Sequence, residues 1–207
     1  MKLILLGAPG CGKGTLANDI VKNYNFTHIS TGQLLRQHVA DKTPIGILAK
    51  QAIENGQFVS DEIVLQILKE KLEEINYDNF ILDGFPRNIS QAEELQKLTK
   101  IDKVVLLDVD YQVIIERISG RRTCSDCGRI FNTSFYKSVE CDVCKGILVQ
   151  RSDDTQDVIQ ERLKVYDKQT KPLIEFYKKH DNLYCLKAGK TAQETFEKFV
   201  KEVLEAK

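Results

Sequence analysis

Short apolar runs alternate along the chain with stretches in which apolar residues recur at helical spacing. The runs have the length of buried strands, and the stretches between them predict amphipathic helices. Strands separated by helices are typical of a parallel sheet that is covered by helices on both faces. We therefore predict an α/β protein with a five-stranded parallel sheet. The predicted strands are 2–6 (KLILL), 26–29 (FTHI), 79–83 (NFILD), 103–109 (KVVLLDV) and 182–187 (NLYCLK).

Two segments do not follow this alternation. Residues 30–59 have helical patterns without a strand, whereas 122–154 combine cysteine pairs, polar turns and short β-like runs. Each segment predicts a small mobile unit that projects from the core. The predicted units are a core made of 1–29, 60–121 and 160–207, a helical insert at 30–59 and a β lid at 122–159.

The first predicted strand runs directly into GAPGCGKGT (7–15), and a helical pattern follows. Glycines let backbone N–H groups turn inward around an anion, and a helix N-terminus adds free donors and a positive dipole end. Lys13 would bring a mobile positive charge to the outer phosphates of a nucleotide. An ordinary glycine-rich turn is the alternative. The usual phosphate-loop pattern has Ser or Thr where this chain has Gly14, and the displaced hydroxyl of Thr15 weakens direct ligation of magnesium.

Composition narrows the functional classes. Thirty basic and thirty acidic residues cancel among 207, so the chain lacks the broad positive field of a general nucleic-acid binder. No apolar run approaches the length of a membrane span, and the first strand begins at once without a signal peptide. We expect no nucleic-acid partner, no membrane partner and a cytoplasmic location.

Four of the six cysteines form two closely spaced pairs, with thirteen residues between the pairs. This spacing indicates a tetrathiolate zinc site, although the central spacer is slightly shorter than the common range. A disulfide framework is the alternative, and it suits a cytosolic chain of this size poorly. The predicted zinc ligands are Cys124, Cys127, Cys141 and Cys144.

The stretch DGFPRN (83–88) follows a predicted strand. Asp83 ends that strand at the edge where an open α/β sheet binds its ligand. Its carboxylate would orient water around Mg²⁺, and a loop-capping aspartate is the alternative. Gly84 and Pro86 predict an unusual turn that directs Arg87 toward the same cleft.

Further arginines lie at strand ends and at the hinges of the two inserts, and Arg117 and Arg121 are spaced one helical turn apart. Two polyanions repel each other, so clustered guanidinium groups suit a reaction between two phosphate-bearing substrates. The second pKa of a phosphate monoester is about 6, so the acceptor needs no base from the protein. The three histidines, which we interpret as structural or surface residues, are His28, His38 and His180. The other candidate arginines are Arg36, Arg151 and Arg162.

The motifs GAPGCGKGT, STGQLLR, DGFPR, GRR and RSDD occur in an order that resembles the nucleoside monophosphate kinases, and the adenylate kinases most closely. The resemblance covers nearly the whole chain and extends to the form of the family that has a long lid with a bound structural zinc ion. It implies a P-loop parallel five-stranded sheet with a helical NMP-binding insert. It also implies a monomer that transfers a phosphoryl group reversibly from ATP, bound with Mg²⁺, to AMP, giving two ADP.

The same resemblance implies roles for individual residues. The residues implied to bind ATP are Gly10, Cys11, Gly12, Lys13, Gly14, Thr15, Arg117, Arg121, Ile130, Phe131 and Thr191. The residues implied to bind AMP are Thr31, Arg36, Gln57, Phe58, Val59, Gly84, Phe85, Pro86, Arg87, Gln91, Arg151 and Arg162. The residues implied to act on the reacting phosphates are Lys13, Asp83, Arg87, Arg121, Arg151 and Arg162. The residues implied to anchor the lid hinge are Asp153 and Asp154.

The chain departs from this family pattern at Gln33, where an aspartate commonly helps to support hydrated magnesium. Asp83 would then bear more of that task. The lid is also several residues shorter between its cysteine pairs. One alternative function is a kinase for CMP, UMP or GMP. The other is a zinc-ribbon module that binds nucleic acid and uses ATP as a switch, which leaves the clustered arginines unexplained.

Overall fold

The computed structural model describes residues 1–205, and within them eight strands form two separate sheets. The larger sheet has the order β2-β3-β1-β4-β8 and is parallel throughout, which confirms the predicted five-stranded sheet. The smaller sheet is antiparallel with the order β6-β5-β7. The strands are β1 (Lys2–Leu6), β2 (Thr27–Ser30), β3 (Phe80–Asp83), β4 (Lys103–Asp108), β5 (Arg121–Cys124), β6 (Ile130–Asn132), β7 (Leu148–Val149) and β8 (Leu183–Lys187).

Helices connect the strands of the larger sheet and cover both of its faces. Two of them continue into short π-helical segments, Tyr166–Thr170 and Val200–Leu204. The helices are α1 (Lys13–Asn23), α2 (Thr31–Ala40), α3 (Pro44–Glu54), α4 (Asp61–Glu74), α5 (Ile89–Leu98), α6 (Tyr111–Ser119), α7 (Gln156–Val165), α8 (Pro172–Lys178) and α9 (Ala192–Phe199).

The apolar side chains of β1 alternate between the two faces of the sheet because successive residues of a strand point to opposite sides. Leu3 and Leu5 belong to a core cluster with residues of α1, α6 and α9, and Ile4 and Leu6 belong to a second cluster with residues of α4, α5 and α8. Both clusters are almost fully buried. The central strand is therefore fixed from both sides.

The strand register brings several carboxyl ends to one edge of the sheet. Asp83, the last residue of β3, lies opposite Leu5 of β1 on one side and Ser30 of β2 on the other. The chain order reverses at β1, with β3 on one side and β4 on the other. Open α/β sheets bind ligands outside the carboxyl ends of their strands at such a switch point. The loops that follow β1 and β3 meet here.

The two inserted segments have different kinds of structure. Residues 31–54 form α2 and α3, which pack so closely that a Cβ at Gly46 would lie 1.9 Å from the backbone oxygen of His38. The three-stranded sheet, by contrast, lies around the two cysteine pairs. The boundaries of the three predicted units stay a prediction. Among the described residues, no helix is long and apolar enough to cross a membrane.

The core predicts a large difference between two leucine substitutions. Leu82 of β3 is fully buried, whereas Leu48 of α3 is 69% exposed. We expect Leu82→Ala to lower the free energy of unfolding by about 2–5 kcal/mol, because it removes buried methyl groups and leaves a cavity. Leu48→Ala should change it by less than about 0.5 kcal/mol. Urea unfolding curves of the two variants measure this difference, and equal losses would contradict the assignment of the core.

Candidate functional site

A cleft of about 1240 Å³ runs along the carboxyl edge of the larger sheet, between the core, α2 and the smaller sheet. It brings together most of the site residues that the sequence predicts, although they come from distant parts of the chain. Those that line it are Gly10, Cys11, Gly12, Lys13, Gly14, Thr15, Arg36, Gln57, Phe58, Val59, Asp83, Gly84, Pro86, Arg87, Arg117, Arg121, Ile130, Phe131, Arg151, Arg162 and Thr191.

Three residues predicted for AMP lie behind the wall of the cleft. Thr31 Oγ1 donates to the backbone oxygen of Gly84 at 2.8 Å, and Phe85 is fully buried in the core. Gln91 Oε1 accepts from the backbone N–H of Arg87 at 2.8 Å, while its Nε2 donates to Asp61 at 2.6 Å. These side chains hold the loop after β3, and their contact with AMP stays a prediction.

The loop between β1 and α1 has the shape of an anion cradle. Gly10 and Gly12 have φ angles of 83° and 108°, in the left-handed region that favours glycine. A Cβ at Gly10 would also lie 2.5 Å from Ile118. Lys13 Nζ donates to the backbone oxygens of Gly7 at 2.8 Å and Ala8 at 3.0 Å, so its ammonium group lies across the loop. The loop can present N–H groups and one positive charge to phosphate.

Asp83 lies beside this loop and pairs with a histidine that sequence reasoning missed. Its Oδ2 lies 3.4 Å from Nε2 of His28, which also lines the cleft. Burial raises the pKa of Asp83, but the contact with His28 and the charges of Lys13 and Arg87 lower it below its usual value. Asp83 is therefore ionised at neutral pH. Our interpretation of His28 as a structural or surface residue did not include this contact.

The guanidinium group of Arg87 is held against the loop that follows β3. Its Nε donates to the backbone oxygen of Gly84 at 2.6 Å, and its centre lies 5.1 Å from the ring centroid of Phe58. Burial and the positive charges of Arg162 and Arg36 together lower the pKa of Arg87 to about 10. This lowered pKa marks a site that favours an anion.

Arg151, Arg121 and Arg162 form a second positive group where β5 meets α7. Arg151 Nε donates to Thr123 Oγ1 at 2.8 Å, and burial, with the charges of Arg36 and Arg121, lowers its pKa to about 9. The spacing of Arg117 and Arg121 suggested a shared helical face, which was wrong because α6 ends at Ser119. Arg121 is the first residue of β5.

Two aspartates neutralise part of this second group. Arg121 donates to both carboxylate oxygens of Asp154, and Arg162 Nη1 donates to Asp153 Oδ2 at 2.8 Å. Arg162 also lies 3.6 Å from Asp154 Oδ1. Burial raises the pKa of Asp153, but the charges of the four surrounding arginines lower it below its usual value. Asp154 therefore ties the start of β5 to the segment before α7, and Asp153 ties that segment to α7 itself.

The smaller sheet lies over the phosphate loop. A Cβ at Gly14 would lie 3.4 Å from Ile130 Cδ1, and a Cβ at Gly128 would lie 2.7 Å from Gln33 Nε2. Thr191 lies across the cleft as the N-cap of α9, where its hydroxyl accepts from the N–H of Glu194 at 3.1 Å. The structure therefore has the smaller sheet in contact with both the loop and α2.

The four paired cysteines form a compact cluster within this smaller sheet. Their sulfur atoms all lie within 4.8 Å of one another, and the Cys124–Cys144 and Cys127–Cys141 pairs are 3.4 and 3.7 Å apart. A tetrahedral ion with bonds of about 2.3 Å to sulfur requires S–S separations of about 3.8 Å. The cluster therefore fits a tetrahedral metal ion and is compatible with zinc. None of the four cysteines is in a disulfide.

These features define the class of the protein. A glycine-rich loop joins the central strand to α1 at the switch point of a parallel sheet, and arginines face it across the cleft. This arrangement is that of a P-loop nucleotide-binding protein of the α/β class.

Comparison with known proteins identifies the family within this class. A family model for adenylate kinase matches residues 5–182. An adenylate kinase from Clostridium tetani is 46% identical over 206 residues, covering 95% of both chains. One from Borrelia duttonii is 46% identical over 198 residues, covering 94% of this chain and 93% of the relative. One from Clostridium perfringens is 40% identical over 210 residues, covering 97% of both. The chain belongs to the adenylate kinase family.

The ion pairs of Asp153 predict a contribution to stability that depends on pH. The surrounding arginines hold its folded pKa below the usual 3.8, so the stabilisation is fully present above that value and is lost as the pH falls through the lower folded pKa. We expect the difference in free energy of unfolding between the protein and its Asp153→Asn variant to stay constant at pH values above about 5 and to shrink as the pH falls from about 5 to 2. Urea unfolding at several pH values measures this difference.

The matched control is Asp157→Asn, because Asp157 is exposed on the first turn of α7. Its smaller effect should change little over the same range. A difference for Asp153→Asn that stays constant down to low pH would contradict the charge pairing.

Proposed function

We propose that this chain is an adenylate kinase, which transfers a phosphoryl group reversibly from ATP to AMP and gives two ADP. The observation that carries the proposal is that the phosphate loop and the guanidinium groups of Arg36 and Arg87 line one and the same cleft. A loop alone indicates only nucleotide binding. A second positive site in the same cleft supports a second phosphate-bearing substrate.

In the proposed reaction, the loop after β1 holds the ATP phosphates and Lys13 follows the transferred group. Arg36 and Arg87 hold the phosphate of AMP. The residues proposed to stabilise the charge that spreads over the reacting phosphates are Arg121, Arg151 and Arg162. Catalysis then depends on positioning and on electrostatic stabilisation, because phosphoryl transfer requires little covalent chemistry from the protein.

The acceptor requires no general base from the protein. The second pKa of a phosphate monoester is about 6, so the attacking oxygen of AMP is mostly ionised at neutral pH. His28 is then free to hold Asp83 through the contact of 3.4 Å between them. The smaller sheet, acting as a lid, excludes water until both substrates are bound, which limits hydrolysis of ATP.

Asp83 fits the binding of Mg²⁺ together with ATP. Its ionised carboxylate lies at the end of β3, where a Cβ at Gly14 would be 3.3 Å from Oδ2. Magnesium is usually bound by one or two carboxylates, water and the phosphates of the substrate. Bound there, Mg²⁺ would neutralise phosphate charge. Gln33 carries no charge with which to support hydrated magnesium. We therefore assign the binding of Mg²⁺ to the carboxylate of Asp83.

We also propose that the four-cysteine cluster holds one structural zinc ion. The small sheet cannot bury a stable core by itself, since Phe135, Val139 and Val143 are between 64% and 89% exposed. A metal ion would supply the missing stabilisation. A monomeric state and a cytoplasmic location stay predictions.

Competition between acceptors tests the proposed reaction. We expect the protein, given Mg-ATP and equal amounts of AMP, CMP, UMP and GMP, to form diphosphate mainly from AMP. Chromatography that quantifies the loss of each monophosphate together with each diphosphate measures this preference, because ATP itself becomes ADP whichever acceptor is used. Lys13→Ala should lower kcat by about 10²-fold or more, because it removes the positive charge that would stabilise the transferred phosphoryl group. The control is Lys69→Ala, on the exposed face of α4.

Three outcomes would contradict this proposal. Preferential phosphorylation of CMP, UMP or GMP would assign another monophosphate kinase activity. Loss of ATP without any diphosphate product from an acceptor would indicate a hydrolase. Binding of ATP with no turnover at all would favour a non-catalytic nucleotide-dependent module.

Replacement of one cysteine tests the metal site. We expect about one zinc ion per chain, measured by mass spectrometry of the metal content. Cys141→Ser should abolish stoichiometric zinc and lower the thermal stability of the lid, because Cys141 is fully buried in the cluster. Cys185→Ser, at an exposed cysteine on β8, is the matched control and should keep its zinc. Unchanged zinc content in Cys141→Ser would rule out the four-thiolate assignment.

A further inference from the structure

Asn132, the last residue of β6, joins the small sheet to the end of α6. Its side-chain Nδ2 donates to the backbone oxygen of Arg117 at 3.0 Å, and its Oδ1 accepts from the N–H of Ser134 at 2.9 Å. Its backbone oxygen accepts from the N–H of Tyr136 at 2.9 Å. Both ends of the amide are therefore used, one within the lid and one in the core.

The acceptor on α6 is a group that the helix itself leaves without a partner. The last four carbonyl groups of an α-helix have no intrahelical N–H to bond. Arg117 lies in the last turn of α6, which ends at Ser119. Asn132 therefore caps this helix from a distant position in the chain. The next residue adds a parallel link, because the N–H of Thr133 donates to the backbone oxygen of Gly120 at 2.8 Å.

The capped turn carries a side chain that faces the phosphate loop. Arg117 Nη1 donates to the backbone oxygen of Cys11 at 3.0 Å, and both residues line the cleft. Asn132 also lines the cleft, but its amide is committed to hydrogen bonds within the protein. A Cβ at Gly120 would lie 2.7 Å from its Oδ1, so the amide fits closely against the residue that joins α6 to β5. The side chain of Asn132 therefore contacts β6, the α6–β5 junction and the end of the helix that carries Arg117.

We propose that Asn132 is a positioning residue for ATP, which sets the closed orientation of the lid and the place of Arg117 beside the phosphate loop. The inference rests on the proposed function, because it assigns this end of the cleft to ATP. Without the amide donor, the lid would spend less time in the orientation that binds ATP. Apparent affinity falls in proportion to the population of the competent state.

Two substitutions separate the amide donor from other effects. Asn132→Asp keeps the shape and the oxygen that accepts from Ser134, but it removes the donor to Arg117. Asn132→Ala removes both the amide donor and the oxygen acceptor without adding a charge. The matched control is Thr133→Ala, which keeps the backbone link to Gly120 and removes a hydroxyl that makes no hydrogen bond among residues 1–205.

The measurements are the binding of a non-hydrolysable ATP analogue and of AMP, each alone, by calorimetry, together with steady-state kinetics. We expect both Asn132 variants to bind the ATP analogue roughly two- to tenfold more weakly, the range for one neutral hydrogen bond. KM for ATP should rise in parallel. AMP affinity, zinc content and kcat at saturating ATP should stay within about twofold, and Thr133→Ala should match the parent protein.

The outcomes distinguish this inference from the proposed function. A parent protein that transfers no phosphoryl group to AMP would overturn the proposed function. An active parent with unchanged analogue affinity in Asn132→Ala would overturn only the role of Asn132. Equal weakening of analogue and AMP binding, with a lower thermal midpoint, would indicate a general structural role and would also overturn it.

Discussion

Electrostatic repulsion among several buried arginines in one cleft is the constraint on which the rest of this structure depends. Burial lowers the pKa of each of these guanidinium groups, and neighbouring positive charges lower it further. Three carboxylates offset only part of the free-energy cost of burying these positive charges together. The arginines concerned are Arg36, Arg87, Arg151 and Arg162. The carboxylates are Asp83, Asp153 and Asp154. The remaining positive charge favours a polyanionic ligand, and two bound phosphate chains would supply the missing negative charge.

The fold holds these charges together by anchoring each one to a different element. Arg87 shows how this is done. Its backbone N–H donates to Gln91, its Nε donates to Gly84, and its backbone oxygen accepts from Thr170 Oγ1 at 2.8 Å. Thr170 belongs to the first π-helical segment, directly after α7, which carries Arg162. This hydrogen bond therefore connects the loop that carries Arg87 with the helical segment that follows Arg162.

The sequence patterns predicted the features that depend on residues close together in the chain. The apolar runs placed each strand of the large sheet within a residue or two, and the cysteine spacing predicted the cluster. The contact of His28 with Asp83 was missed because it depends on β2 lying beside β3, and strand order is not a local property. Arg121 was misread for a related reason: the spacing from Arg117 is helical, but Gly120 ends the helix between them. Gln91 Nε2 donates to Asp61, a contact that depends on the tertiary fold, and its predicted contact with AMP stays a prediction.

The lid has little apolar core of its own, yet it is held in a defined orientation on the rest of the protein. Its sheet has only three short strands, and Phe135 is 89% exposed, so apolar burial contributes little to its stability. Its position relative to the core then depends on a few polar links at its base, above all the ion pairs of Asp154 and the amide of Asn132. Such links are directional, so a small number of them can fix the orientation of the lid without a large apolar interface. A lid held by a large apolar interface would close as well but would release its product slowly.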